Sequence, residues 1–293
     1  MQISTLIIQM GLLGCGLIGI SVYYVGIRSA KAFYLTAVLL LTFTVFVPLH
    51  ILLDESPIWW IFNQILGNMS TLKLVIYWSF CAGIAVLAVS NQIFYARKAS
   101  TGMRKVFHIL SLVVFIPGLL YKCSFLYLAS GVVVGIFLAL EIVRILNIPP
   151  LGHHLQDGFA VFSDEKDTGN LALTPIYLLV GCSLPLWIHP SPCDVTDSAM
   201  FTLPPLLSGL LSIGLGDTAA SIVLKKTIEG TVACILSQIG LVYLLIYFGC
   251  LAPLTMEYGI KLFTAIIIGS YVEAKTTQVD NLVLPLVMYI III

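Results

Sequence analysis

Residues Ser212 to Thr231 read S-I-G-L-G-D-T-A-A-S-I-V-L-K-K-T-I-E-G-T and lie between two apolar runs. An acid placed in hydrocarbon costs roughly 2.5–3.5 kcal/mol on insertion scales, so Asp217 reads as part of a functional site. Gly214 and Gly216 would let backbone N–H groups approach an anion closely. Lys225 and Lys226 bring positive charge suited to phosphate, and Asp217 with Glu229 could hold a divalent metal that bridges it. Phosphate chemistry is the reading these residue types favour. A small-residue helix seam followed by a positive stop explains the glycines and lysines, but not Asp217 or Glu229.

Other chemistry-bearing residues fall into short groups. Asp164, Glu165 and Asp167 precede an apolar run and form a possible platform for a metal-bound nucleotide, or else a solvated helix start. Glu141 and Arg144 stand at i and i+3, spaced to pair on one helix face. Arg104 and Lys105 form a basic entry to a span, with His108 one turn further in. Glu273, Asp280 and Asn281 lie near the C-terminal end, where Asp280 or Asn281 could equally cap a helix. His153 and His154 read as solvated loop residues. The seven Cys show no C-x-x-C spacing and read as small core residues.

The positioning elements follow from composition. The chain has 293 residues, 59% hydrophobic and 10% charged, with mean hydropathy +1.06. A spanning helix needs about 20 mostly apolar residues, and such runs follow one another almost throughout. The expected architecture is all-α: a multi-pass integral membrane protein of about ten transmembrane helices. They lie near 5–26, 32–53, 72–94, 106–121, 124–146, 171–188, 202–224, 231–250, 260–274 and 282–293. A net charge of zero gives no attraction to nucleic acid.

Orientation follows from the basic residues. No Lys or Arg precedes the first run, whereas Arg28 and Lys31 follow it, which predicts an uncleaved span with its N-terminus outside the cytosol. That orientation puts Arg28, Lys31, Arg97, Lys98, Arg104, Lys105, Arg144, Lys166, Lys225, Lys226 and Lys275 at the cytosolic face. Lys73, Lys122 and Lys261 lie opposite, a split of 11 against 3 among the 14 basic residues. The polar groups described above share the cytosolic side.

These motifs resemble a known family. R-K-V-F-H (104–108), E-I-V-R-I-L-N-I-P-P-L-G (141–152), F-S-D-E-K-D-T-G (162–169), G-L-G-D-T-A-A-S (214–221), K-K-T-I-E-G-T (225–231) and E-A-K-T-T-Q-V-D-N-L-V-L-P (273–285) are similar to dolichol kinase in consistent order. The resemblance implies an enzyme of the endoplasmic-reticulum membrane that transfers the γ-phosphoryl of CTP to dolichol, giving the dolichyl phosphate used in protein glycosylation. It implies a catalytic membrane domain over residues 100–293, after N-terminal transmembrane helices in 1–99. Gly214, Gly216, Asp217, Thr218, Ser221, Lys225, Lys226, Thr227 and Gly230 then correspond to the CTP-binding region. Asp217, Asp167 and Glu229 become catalytic candidates, and Asp164, Asp217 and Glu229 candidate ligands of Mg²⁺. Arg104, Lys105, His108, Glu141, Arg144, Asp280 and Asn281 take supporting places. Family members carry a longer glycine-bearing segment between the two central motifs, where this sequence has only Ile222, Val223 and Leu224.

Three other readings fit parts of the sequence, one of them a non-catalytic variant that folds and binds partners but cannot bind CTP. A kinase or cytidylyltransferase acting on phytol, another polyprenol or phosphatidate would use the same phosphate chemistry. A secondary transporter would use Asp217 and Glu141 for ion coupling, but it favours internal repeats, and none is visible.

Overall fold

A computed structural model describes residues 2–26, 29–95, 101–162, 174–223, 226–276 and 280–293, with the side chains of Gln2, Thr101, Arg104, 159–162, Thr174 and Asp280 outside the description. The helices are α1 (Gln2–Val25), α2 (Ala30–Leu41), a π-helical turn (Thr42–Phe46), α3 (Val47–Leu53), α4 (Pro57–Leu66) and α5 (Met69–Phe94). Next come α6 (Thr101–Tyr121), α7 (Cys123–Ile145), α8 (Leu151–Phe162), α9 (Thr174–Ile188) and α10 (Leu203–Leu206). A second π-helix (Leu210–Asp217), α11 (Thr218–Val223), α12 (Ile228–Tyr247), α13 (Met256–Lys275) and α14 (Asp280–Ile292) complete the chain. Among the described residues there is no strand. The fold is an all-α, multi-pass membrane protein, because hydrocarbon leaves backbone polar groups no partner outside the helix.

Among the described residues, five helices are long and apolar enough to cross a bilayer: Ile3–Val25, Ala30–Leu53, Met69–Phe94, Cys123–Ile145 and Ile228–Tyr247. Shorter apolar helices cover Lys105–Tyr121, Pro175–Ile188, Leu210–Val223 and Asn281–Ile292. Two helices fall where connections were expected. One is α4; the other is α8, inside the presumed loop 147–170, which places His153 and His154 on a helix.

The chain divides into two units. The first comprises Met1–Lys98 with Leu128–Leu173. Ile18, Phe33 and Ile148 are its buried centre, with Val22, Leu40, Ile142 and Leu146 packed around them. Pro48 has no N–H to continue the α-helical ladder, and the Thr44 hydroxyl donates to the Leu40 carbonyl at 2.7 Å. Both effects widen the helix locally, and the Val47 N–H reaches back to the Thr42 carbonyl in the π pattern. Arg144 grips Glu141 with a two-pronged fork, Nε to Oε2 at 2.8 Å and Nη2 to Oε1 at 2.7 Å. Its Nη1 donates to Gln156 Oε1 at 2.7 Å, tying α7 to α8.

The second unit comprises Ala99–Tyr127 and Thr174–Ile293. Its π-helix packs against α6, α9, α12, α13 and α14. Leu203, Leu207, Leu210, Leu211 and Ile213 are wholly buried there.

One end of this unit is tied covalently. Cys123 and Cys193, 70 residues apart, form a disulfide, which corrects the reading of all seven cysteines as unpaired core residues. Around it, the Cys123 N–H donates to the Asp197 carbonyl, Ser124 N–H to Asp197 Oδ1, and Lys122 Nζ lies 3.4 Å from Asp197 Oδ2. The Asp194 carboxylate accepts from the Thr196 hydroxyl at 2.6 Å and from the Ser198 and Thr196 N–H groups. These bonds hold its pKa below the usual range. Chain-entropy arguments assign a crosslink across 70 residues up to about 4 kcal/mol, and spanning helices already restrict the unfolded chain. Cys123→Ser should therefore lower thermal stability in detergent by about 2–4 kcal/mol; an unchanged melting curve would show that the bond is idle.

Candidate active site

The π-helix builds the site. A turn that bonds i to i+5 is wider than an α turn, and such segments recur at functional positions. Here it ends at Asp217, which is 3% exposed. Lys105 and His108 stand one turn apart on the same face of α6. Lys105 Nζ directly contacts Asp217 Oδ2, and His108 Nε2 lies 3.6 Å from the same oxygen. That second separation is an electrostatic contact, too long for a hydrogen bond. The structure thus brings Asp217 to two residues of α6 that lie more than 100 positions before it.

The two glycines have a different duty from the expected phosphate-cradling turn. A Cβ on Gly214 would lie 3.0 Å from Leu112 Cγ on α6, and one on Gly216 would lie 2.8 Å from Gln238 Nε2 and 3.0 Å from Cys234 Sγ on α12. Both sit on a continuous helix and let neighbours close in. The hydroxyls of the same stretch are likewise engaged: Thr218 donates to the Gly214 carbonyl at 2.8 Å and Ser221 to the Thr218 carbonyl at 2.9 Å. Thr227 caps α12, its Oγ1 accepting from the Gly230 N–H at 3.1 Å.

Glu229 is exposed in the first turn of α12, where the helix dipole favours an acid. Lys226 is exposed in a left-handed conformation, φ +63°. That conformation costs an L-residue roughly 1–2 kcal/mol, while glycine's larger unfolded-state freedom returns part of the gain. Lys226→Gly should thus raise stability by about 0.5–1 kcal/mol, and it should weaken CTP binding in a titration if the ammonium meets phosphate. A lowered melting temperature would contradict the backbone argument.

Asp164, Asp167 and Lys225, and the side chains of Arg104 and Asp280, lie outside the described residues. Asn281 contributes its backbone to a close seam with Gly181 of α9. Glu141 and Arg144 belong to the other unit, where they bind each other. Among the described residues no group of three His, Cys, Asp or Glu side chains could hold a metal ion. Asp217 presents its Oδ2 to a lysine ammonium, and Glu229 is solvated. The described residues therefore do not fit the expected Mg²⁺ site.

Three further polar residues surround the centre. Gln238 on α12 and Ser270 and Glu273 on α13 are 1%, 1% and 2% exposed. Gln238 Nε2 donates to the Cys234 carbonyl at 3.1 Å and to Ser270 Oγ at 3.2 Å. Gln238 and Ser270 are single polar letters inside apolar runs, and only their cost in hydrocarbon marks them in the sequence.

The fold and this buried polar centre define an integral membrane protein whose charged groups converge inside one helical unit. Comparison with known proteins gives its kinship. The dolichol kinase family model matches residues 2–197. Mouse dolichol kinase is 37% identical over 265 residues, covering 83% of this chain and 49% of the mouse protein. The human enzyme is 36% identical over 289 residues, covering 91% and 53%. Dolichol kinase EVAN of Arabidopsis thaliana is 32% identical over 255 residues, covering 80% and 43%. The chain belongs to the dolichol kinase family. It spans about half the length of the curated relatives it matches. No solved structure matches it.

Proposed function

We propose that the protein phosphorylates dolichol, or another polyprenol, with CTP as donor, at the cytosolic face of the endoplasmic-reticulum membrane. The observation that carries the reading is the buried Lys105–His108–Asp217 cluster in a chain of this family. A lysine held against a carboxylate is a cation ready for exchange: an incoming phosphate can take the ammonium from Asp217. Transfer then needs the γ-phosphorus in line between the polyprenol oxygen and the bridging oxygen of the nucleoside diphosphate. Positive charge from Lys105, with Lys225 and Lys226 near the connection to α12, would offset what develops on the phosphoryl oxygens. The isoprenoid chain would remain in the bilayer beside the helices. Mg²⁺ is assigned no step, because the described residues do not form a site for it.

The cytosolic placement draws support from the basic asymmetry and from the disulfide, since such bonds persist in oxidising compartments such as the endoplasmic-reticulum lumen. Cys123 and Cys193 both fall on the face that the positive-inside rule assigns to the lumen.

Purified chain given γ-labelled CTP and dolichol should place label in the lipid and release CDP. Release of pyrophosphate would identify a cytidylyltransferase instead. Cysteine labelling in sealed microsomes should reach position 226 from the cytosol and position 194 only after permeabilisation. Labelling of both from one side would remove the basis for a cytosolic site.

A further inference from the structure

The polar junction behind Asp217 contains a second buried carboxylate. Gly216, the residue before Asp217, packs onto Cys234 and Gln238, and the Ser270 hydroxyl donates to Cys234 Sγ at 3.3 Å. Glu273 lies one turn beyond Ser270 on the same helix, α13, and is 2% exposed. Asp217, next to Gly216, and Glu273, one turn from Ser270, therefore border the same Cys234–Gln238–Ser270 junction from different helices. Gln238 Oε1, wholly buried in the same junction, accepts no hydrogen bond among the described residues. A buried amide oxygen of this kind leaves room for a donor that arrives with a ligand.

The end of α13 sets the level of Glu273. Tyr271 is 60% exposed, and Lys275 Nζ stands 6.0 Å from the centre of its ring. An exposed Tyr–Lys pair at a helix end is what the level of lipid headgroups selects. Glu273 sits between these two residues in sequence but on the inward face. It therefore combines burial with the depth at which the hydroxyl of a membrane alcohol lies. Asp217, in contrast, has Lys105 and His108 against its Oδ2, which suits the phosphate side of the reaction.

We propose that Glu273 is the residue that accepts the hydroxyl hydrogen of the polyprenol. This inference rests on the kinase reading for its substrate. The alcohol O–H donates to the Glu273 carboxylate. As the oxygen–phosphorus bond forms, the proton passes to that carboxylate. The bond from the γ-phosphorus to the bridging oxygen breaks, and its electron pair leaves with the nucleoside diphosphate. Lys105 and Asp217 serve the donor; Glu273 serves the acceptor.

The test uses purified full chain, with a tritiated short-chain polyprenol and CTP as separate binding probes alongside turnover. Glu273→Gln keeps the shape and removes the charge. It should weaken polyprenol binding by about tenfold or more, as expected for a lost hydrogen bond to a charged group. Turnover should fall by about 10²-fold or more, with CTP binding within about twofold of the unsubstituted chain. Glu273→Asp should recover part of both losses. If Glu273→Gln does not fold, a hydrophobic carbodiimide on the unsubstituted chain decides: labelling of Glu273, mapped by mass spectrometry, should be blocked by polyprenol and not by CTP. Polyprenol binding with the predicted selective loss but no turnover in the parent chain would overturn the kinase reading and leave Glu273 as the acceptor site. Absence of polyprenol binding by the parent chain overturns the inference, as does equal loss of CTP and polyprenol binding in Glu273→Gln, or protection from the carbodiimide by CTP alone.

Discussion

Asp217→Asn is expected to reduce phosphoryl transfer by about 10²–10⁴-fold and also to destabilise the protein. The loss of rate follows from removing a buried charge from the point where Lys105 and His108 converge. The loss of stability follows because the substitution leaves the Lys105 ammonium, 11% exposed, without that carboxylate. Removing one partner of a buried ion pair costs about 3–5 kcal/mol, whereas replacing both by apolar groups is often neutral. The double substitution Lys105→Met with Asp217→Leu should thus regain most of the lost melting temperature while remaining inactive. That divergence separates a role in chemistry from a role in folding. Undiminished turnover in Asp217→Asn at saturating CTP would remove Asp217 from the mechanism, and a double variant no more stable than the single would remove the ion pair.

The second large effect concerns the connection between α11 and α12. Helix α11 runs to Val223 and α12 begins at Ile228, so four residues, Leu224 to Thr227, join them in the sequence. Thr218 and Ser221 spend their hydroxyl hydrogens on their own helix, and Gly214 and Gly216 are closed in by α6 and α12. Among the described residues of this stretch, few backbone N–H groups remain to surround a triphosphate. Inserting a glycine-rich segment after Ile222 should add two or three charge-assisted hydrogen bonds to phosphate, each worth roughly 1.5–3 kcal/mol. At about 1.4 kcal/mol per tenfold, CTP affinity should rise by two or more orders of magnitude. Calorimetric titration of parent and insertion variants measures this directly. Equal affinities would mean that phosphate is recognised without a loop.

Hydropathy makes the spans legible because a bilayer demands long apolar runs and leaves little choice of backbone. It missed α4 because Pro57–Leu66 is only ten residues long, and α8 because its charged and polar residues read as loop. The basic entry at Arg104 and Lys105 and the acid at Asp217 stand out by charge alone. Their contact does not, since α6 and the π-helix are joined in space by packing that has no local signature. The same holds for Cys123 and Cys193, whose 70-residue separation carries no spacing rule. Gly214 and Gly216 were conspicuous for the right reason, close approach, but the approaching group is a neighbouring helix.

The π-helix over Leu210–Asp217 also makes rotational phase part of the site. An α-helix turns by about 100° per residue and a π turn by less, so the winding of this segment sets the angle of the shaft that carries Asp217. Wound as a regular α-helix, the same eight residues would close ordinary i to i+4 bonds. Locally the result would be a better helix. Yet the carboxylate would point away from Lys105 and His108, and the glycines would no longer meet the neighbours they admit. The irregular turn acts as a timing mark: its wider winding sets which way the acid faces.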